Sequence, residues 1–380
     1  MNLREIIATE IRACGPIPFS RYMDLCLYHS ELGYYARQQE KFGKAGDFYT
    51  SSDMHAVFGR LLARQFDEMW RALASPARID VVELGPGRGL FAADVLAWSA
   101  KKFPGFATAL RYRLVERSPS LRARCEENLA EAIKAGKASV HSALDELRSD
   151  AAEATIVFAN EFFDALPVER VAGASQVFVA ETGTRFAPTL QPATAAVMEY
   201  LDRWSVHPEP GETLEAGLDA QRWMRDAAAL VHRGFLLAID YGYTRDEQLA
   251  GRHRDTLMTF REHSAGTDPY EAPGEQDITA HVNFTALRAA GEAAGLEPLG
   301  LVTQSQFLLG IGEANEFADA FEDTRPPQER AKVALQLKHL ITPAGMGETF
   351  HVLTLARGIA KEKAARLSGL NFGVERQLAD

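Results

Sequence analysis

Apolar residues recur at helical spacing where the chain begins, in Leu3, Ile6, Ile7 and Ile11, and predict a short helix there. Pro16-Ile-Pro-Phe-Ser20 breaks the pattern and offers Ser20 as the N-cap of a second helix reaching about residue 35. A loop rich in glycine and aromatics follows, Gly33-Tyr-Tyr35 and then Gly46-Asp-Phe-Tyr-Thr-Ser51, before helical spacing resumes from Val57 to Leu73. From residue 79 the rhythm changes. Ile79 to Glu83 reads as a buried strand, followed by glycines and a helix from Leu90 to Ala100. Tyr112 to Glu116 is a second strand, with a helix from Pro119 to about Ala135. Ala138 to His141, Thr155 to Ala159 and Phe235 to Asp240 supply a third, fourth and fifth. Strands alternating with helices predict a mostly parallel α/β sheet covered on both faces. Runs near Leu299 to Thr303 and Thr349 to Leu355 predict an antiparallel pair that closes it.

Two stretches interrupt the alternation and set the expected boundaries. Residues 1–75 form an N-terminal helical lid region, and 76–171 the first part of a Rossmann-like domain. Residues 172–233 are an insertion, β-rich then helical, and 234–242 return to the sheet. Residues 243–293 are a polar second insertion, 294–360 hold the closing strands and helices, and 361–380 read as a solvated charged tail. Insertions of this kind sit over the carboxyl edge of a sheet and build its substrate side.

Composition narrows the chemistry. With 46% hydrophobic and 24% charged residues over 380 positions, the chain can bury a sizeable core. A net charge of −11 argues against a nucleic-acid partner and is compatible with a cationic one. Cys14, Cys26 and Cys125 are scattered, so neither a disulfide framework nor a metal site is expected. The first residues lack the apolar core of a signal peptide, and Glu5 and Glu10 do not suit a mitochondrial presequence, so a cytoplasmic location is expected. No apolar run approaches membrane-spanning length.

The most informative stretch is VVELGPGRGL, residues 81–90. Glycines at a strand end let the chain turn sharply and bring backbone N–H groups up to a ligand. The dinucleotide pattern GxGxxG fails here, because its third position falls on Leu90. The spacing is GxGxG, at Gly85, Gly87 and Gly89, with Glu83 ahead, and it resembles the first motif of class I methyltransferases. Those enzymes bind S-adenosylmethionine (SAM), whose sulfonium and ammonium give Glu83 a charge to neutralise. Glu116 ends the next strand, where a carboxylate accepts hydrogen bonds from both ribose hydroxyls. After the fourth strand, Asn160-Glu-Phe-Phe-Asp-Ala-Leu-Pro-Val168 sets Asn160, Glu161 and Asp164 at the reacting end. Carboxylates there suit a guanidinium, which stays protonated and is gripped bidentately; a lysine or small amine also fits.

Together ELGPGRG, ANEFFDALPV, IDYGY (239–243), PGEQDITAHVNF (273–284) and the early GYY and GDFYTSSDMHAVFG resemble the MidA family of class I methyltransferases, from about Gly33 to about Gly347. That family includes the mitochondrial complex I assembly factor. The resemblance implies SAM as cofactor and, as partner, a protein with an accessible arginine, a complex I subunit being one instance. It implies Gly46, Asp47, Thr50 and Ser51 as a lid over the cofactor, Asp240 at the end of strand five, and Gln276, Asp277, Thr279 and His281 beside the substrate cleft. Plain structural readings stand beside these: Asp277 as a helix N-cap, His281 as a hydrogen-bonded structural histidine, Gly46-Asp47 as a turn. The chain departs from the family pattern at Ser52, Asp53, His55 and Asn283. A small-molecule methyltransferase and a SAM-binding assembly factor without catalysis are the alternatives.

Overall fold

A computed structural model describes residues 2–36, 56–150, 152–261, 264–266, 268–321 and 326–372. Gly46, Asp47, Thr50 and Ser51, like Ser52, Asp53 and His55, lie outside the described residues.

Its centre is a sheet whose seven main strands are β1 (Ile79–Leu84), β2 (Leu110–Val115), β3 (Ala138–His141), β4 (Ala154–Asn160), β5 (Gly234–Tyr243), β6 (Glu297–Thr303) and β7 (Phe350–Arg357), with the short strand Val282–Asn283 pairing in parallel with the end of β5 as an eighth. The strand order is β3-β2-β1-β4-β5-β7-β6; the first five run parallel and β7 runs antiparallel to both its neighbours. This is the class I methyltransferase fold. Order reverses between β1 and β4, and at such a switch point diverging loops open a crevice beyond the carboxyl ends of the strands. Every residue of β1 and β4 is buried. Successive side chains alternate between two apolar layers, which is why these strands read as unbroken apolar runs. Val81 and Phe158 point to a layer built by α1 (Ala56–Ala72) and α2 (Leu90–Lys102), where the Phe91 and Phe158 rings stack at 4.7 Å. Val82 and Val157 point to the other, under α4 (Leu218–Ala229) and α5 (Phe284–Ala293), with α3 (Pro119–Asn128) flanking the sheet beyond β2.

A second sheet combines strands Glu169–Ala172, Ser175–Thr182, Arg185–Pro192 and Leu214–Ala216 with Ile17–Pro18 from near the beginning of the chain. It ties the helices Leu3–Cys14 and Phe19–Tyr28 to the first insertion. The second insertion is more regular than its polarity suggests, with a three-stranded sheet of Met258–Arg261, Ser264–Gly266 and Asp277–Thr279. Ser20 does not cap its helix; Pro18 precedes Phe19 there, and the Ser20 hydroxyl donates to Glu169 instead, 2.6 Å away. The helix expected from Pro119 to Ala135 breaks at Leu129. The segment past residue 361 is not simply solvated. Ser368–Leu370 docks on α1, with the Ser368 and Gly369 N–H groups donating to Glu68 and Gln65, both at 2.9 Å. Among the described residues no helix is long and apolar enough to cross a membrane.

Candidate functional site

The chain leaves β1 through Gly85 (φ +64°) and Gly87 (φ +55°), both in the left-handed region open to glycine. A Cβ added at Gly85 would lie 2.8 Å from the Phe162 ring, whereas one at Gly87 would meet nothing within 4 Å. Gly85 is therefore dictated by packing, and Gly87 by space kept open beside the turn. Gly89 turns away from the cleft to cap α2 and packs against Cys125 and Leu129. Glu83 does not line the cleft either; it sits beneath the turn and accepts a hydrogen bond from Tyr112 Oη at 2.9 Å. Burial pushes its carboxyl up to about 8.

Glu116 follows β2 and lines the cleft with only 8% exposure. Its Oε1 accepts the Ser118 N–H at 2.8 Å. Burial raises the carboxyl to about 7 against those backbone donors. Ser142 and Ala143, just beyond β3, border the same cleft and had no signal in the motifs.

The acidic turn after β4 is the most constrained part of the site. Glu161 takes φ +49°, a left-handed conformation that costs a side-chain-bearing residue about 1–2 kcal/mol. The amides of Phe162, Phe163 and Asp164 all donate to one oxygen, Oδ2 of Asp240 on β5, at 3.2, 3.0 and 3.3 Å. Asn160 Nδ2 donates to Glu161 Oε1 at 3.1 Å. Tyr241 Oη donates to Asp164 Oδ2 at 2.6 Å, while Asp164 Oδ1, also buried, has no hydrogen-bond partner among the described residues. Burial raises Asp164 to about 6 despite the Tyr241 bond.

These groups surround one cleft of about 420 Å³. Tyr28, Tyr34 and Tyr35 from the N-terminal region and Trp223 from α4 line its sides; Tyr34 and Tyr35 belong to the GYY motif, whereas Tyr28 and Trp223 carried no motif signal. Tyr28 Oη donates to the Ala165 carbonyl and Tyr35 Oη to Asp277 Oδ1, both at 3.0 Å. Two carboxylates of the lining are matched by arginines, Asp24 by Arg117 at 3.0 Å and Asp219 by Arg222 at 3.1 Å. With Glu116, Glu161, Asp164, Asp277 and Arg88, the described lining holds six carboxyl groups and three guanidiniums. The cleft therefore favours a cation.

Of the residues expected beside the substrate, only Asp277 reaches this cleft, from a strand and not as a helix cap. Gln276 donates to the Asp268 carbonyl at 3.0 Å, and Thr279 is buried in strand pairing with Met258. His281 packs edge-on against Tyr241 and lies 3.2 Å from His253 Nδ1 to Nδ1. Burial, then His253, lowers it to about 4, and it does not line this cleft. Asn283 caps α5 by accepting the Ala286 N–H and donates to the Trp204 carbonyl, which an aspartate could not do. That departure from the family pattern is structural.

Comparison with known proteins agrees with this arrangement. Residues 61–302 match the family model described as "Putative S-adenosyl-L-methionine-dependent methyltransferase". The protein arginine methyltransferase NDUFAF7 of Danio rerio is 32% identical over 94% of this chain and 88% of its own. Its Drosophila melanogaster homolog is 30% identical over 94% and 85%. A crystal structure of a Burkholderia thailandensis protein bound to S-adenosyl-homocysteine superposes with a TM-score of 0.82 at 31% identity, over 96% of this chain and 94% of that one. The NDUFAF7 relatives are named mitochondrial, which overturns the cytoplasmic location expected above. That expectation rested on the lack of a presequence pattern in the first residues, and such a lack carries no address. On the family match and these relatives, the chain belongs to the SAM-dependent methyltransferases that its glycine and NEFFD motifs resemble.

Proposed function

We propose that the protein transfers the methyl group of SAM to an arginine side chain of a protein partner, with a respiratory complex I subunit as the partner the family resemblance suggests. The observation that carries this reading is the acidic lining of the cleft, where Asp164 stands with Glu116, Glu161 and Asp277. A guanidinium supplies the opposing charge and several donors to such a lining. The relatives' description as protein arginine methyltransferases supports arginine over a small amine.

The site fits the cofactor on its own features: open space at Gly87, a buried carboxyl at the end of β2, and room beside both. When bound, SAM supplies an electrophilic methyl group on a sulfonium. The backbone at Gly85 and Gly87 holds its methionine end, and Glu116 accepts its ribose hydroxyls. Glu161 and Asp164 fix the plane of the acceptor guanidinium, and Tyr28, Tyr35 and Trp223 keep water out. The guanidinium must lose one proton as it gains the methyl, and in this reading the Asp164 carboxylate takes it. In this reading the sheet and 76–171 hold the cofactor, while residues 1–75 and the two insertions shape the acceptor side. The same negative charge disfavours a nucleic acid as acceptor.

The test is labelling with [methyl-³H]SAM of a lysate from cells lacking this protein, followed by acid hydrolysis. Label in methylarginine is the expected result. Label confined to small molecules, or none while S-adenosyl-homocysteine still binds, rejects the acceptor assignment.

The raised Glu116 carboxyl makes a second prediction. Ribose hydroxyls bind the ionised form best, so bound ligand draws the group down from about 7 and a proton leaves. Affinity for S-adenosyl-homocysteine should rise from pH 6 to pH 8. At pH 7 calorimetric heats should differ between phosphate and Tris buffers, a difference that Glu116→Gln removes.

A further inference from the structure

We infer that Asp240 and Tyr241, adjacent at the end of β5, are positioning residues that lock the strained acidic turn 160–164 in its working shape. The inference rests on the reading of that turn as the acceptor site.

Three consecutive amides converge on one carboxylate oxygen, Asp240 Oδ2, and its other oxygen accepts the Tyr241 N–H at 3.0 Å. Four donors on one buried side chain form a compact anion cradle, with the anion supplied by the protein itself. The cradle has a mechanical consequence. Glu161 stands at φ +49° immediately before the three amides, and its own N–H donates to the Ile239 carbonyl at 2.9 Å. The unfavourable conformation is thus pinned on both sides by β5 and cannot relax without breaking several bonds at once. Tyr241 completes the arrangement from the side: its hydroxyl donates to Asp164 Oδ2 and so fixes the carboxyl group at the end of the turn. Asp240 is fully buried and does not line the cleft, so it acts only through the turn.

The arrangement also explains why a third carboxyl is tolerated beside Asp164 and Glu161. Burial and both neighbouring carboxylates oppose its ionisation, and only the amides favour it.

Three measurements on full-length protein test this. In Asp240→Asn, amide hydrogen exchange of residues 162–164 should accelerate at least ten-fold while the β1 and β4 amides keep their protection. Methyl-transfer rate at saturating SAM should fall ten- to hundred-fold with KM for SAM unchanged. In Tyr241→Phe, the acid limb of the pH–rate profile should move to higher pH, because Asp164 loses a donor that favours its ionised form. A merely structural role would lower the melting temperature without moving that limb. Unaltered exchange at 162–164 in a folded Asp240→Asn protein overturns the inference, as does an unaltered acid limb in Tyr241→Phe. Wild-type protein that labels no arginine sinks the acceptor reading instead, and the exchange data still decide whether Asp240 holds the turn.

Discussion

Replacing Gly87 with valine is expected to weaken S-adenosyl-homocysteine binding at least hundred-fold while leaving the protein folded. At φ +55° a β-branched residue is strained by about 1–2 kcal/mol, which a domain of this size survives. An added Cβ here meets no protein atom within 4 Å, so the isopropyl group enters the space the cofactor needs. A hundred-fold loss corresponds to about 2.7 kcal/mol, well within the reach of one branched side chain in a closely fitted site. Titration calorimetry at pH 7.5 measures it, with a melting curve to show that the fold is intact. Gly85→Ala is the informative contrast. Its Cβ collides with Phe162, whose N–H is one of the three on Asp240, so that variant should lose melting temperature and distort the acidic turn together. Unchanged affinity in Gly87→Val would mean that this turn does not hold the ligand.

The contrast between those two glycines shows where sequence reading stops. Both carry the same motif signal, and only packing across the sheet separates one that makes room for Phe162 from one that borders open space. The sheet itself was legible because its cause is local. Strands buried on both faces must be apolar throughout, and the glycine and carboxylate punctuation marks their ends. Glu161 and Asp164 were legible for the same reason, as polar residues packed into a short aromatic turn at a strand end. Tyr28 and Trp223 were not, nor was the place of Tyr35 in the cleft. Tyr35 meets Asp277 across 242 residues of chain, and nothing in the rhythm of the lid or the insertion says which faces will meet. Asp240 did leave a trace, as the one carboxyl ending the otherwise apolar run Phe235 to Ile239. A charge buried so deep needs donors, and its best donors were the amides of the turn already in view. Gln276, Thr279 and His281 lie outside the cleft lining for separate reasons: Gln276 bonds to the Asp268 carbonyl before the strand begins, Thr279 is buried in the strand pairing, and His281 packs on Tyr241 after the strand ends.

Asp164→Asn should cost the enzyme about 10³-fold in methyl-transfer rate at pH 7.5, within the 10²–10⁴ range of a lost general base, and change S-adenosyl-homocysteine affinity less than three-fold. Asparagine keeps the shape and can still accept from Tyr241 Oη, so the turn has no reason to collapse. What it lacks is the charge that holds a guanidinium and the basicity that takes its proton. The pH profile separates this from a packing defect. Asp164 titrates at about 6, above an ordinary aspartate because of its burial. Wild-type activity should therefore be full above pH 7 and fall as pH drops through 6, a limb that Asp164→Asn abolishes. The measurement needs saturating SAM throughout, since protonation of Glu116 weakens cofactor binding over a neighbouring range. Glu161→Gln calibrates the result. Glu161 is only half-buried and its Oε1 already accepts from Asn160, so its contribution should be that of a second grip on the guanidinium, nearer ten-fold. Were Glu161→Gln the more damaging of the two, the proton would leave through Glu161, and Asp164 would be the residue that only orients.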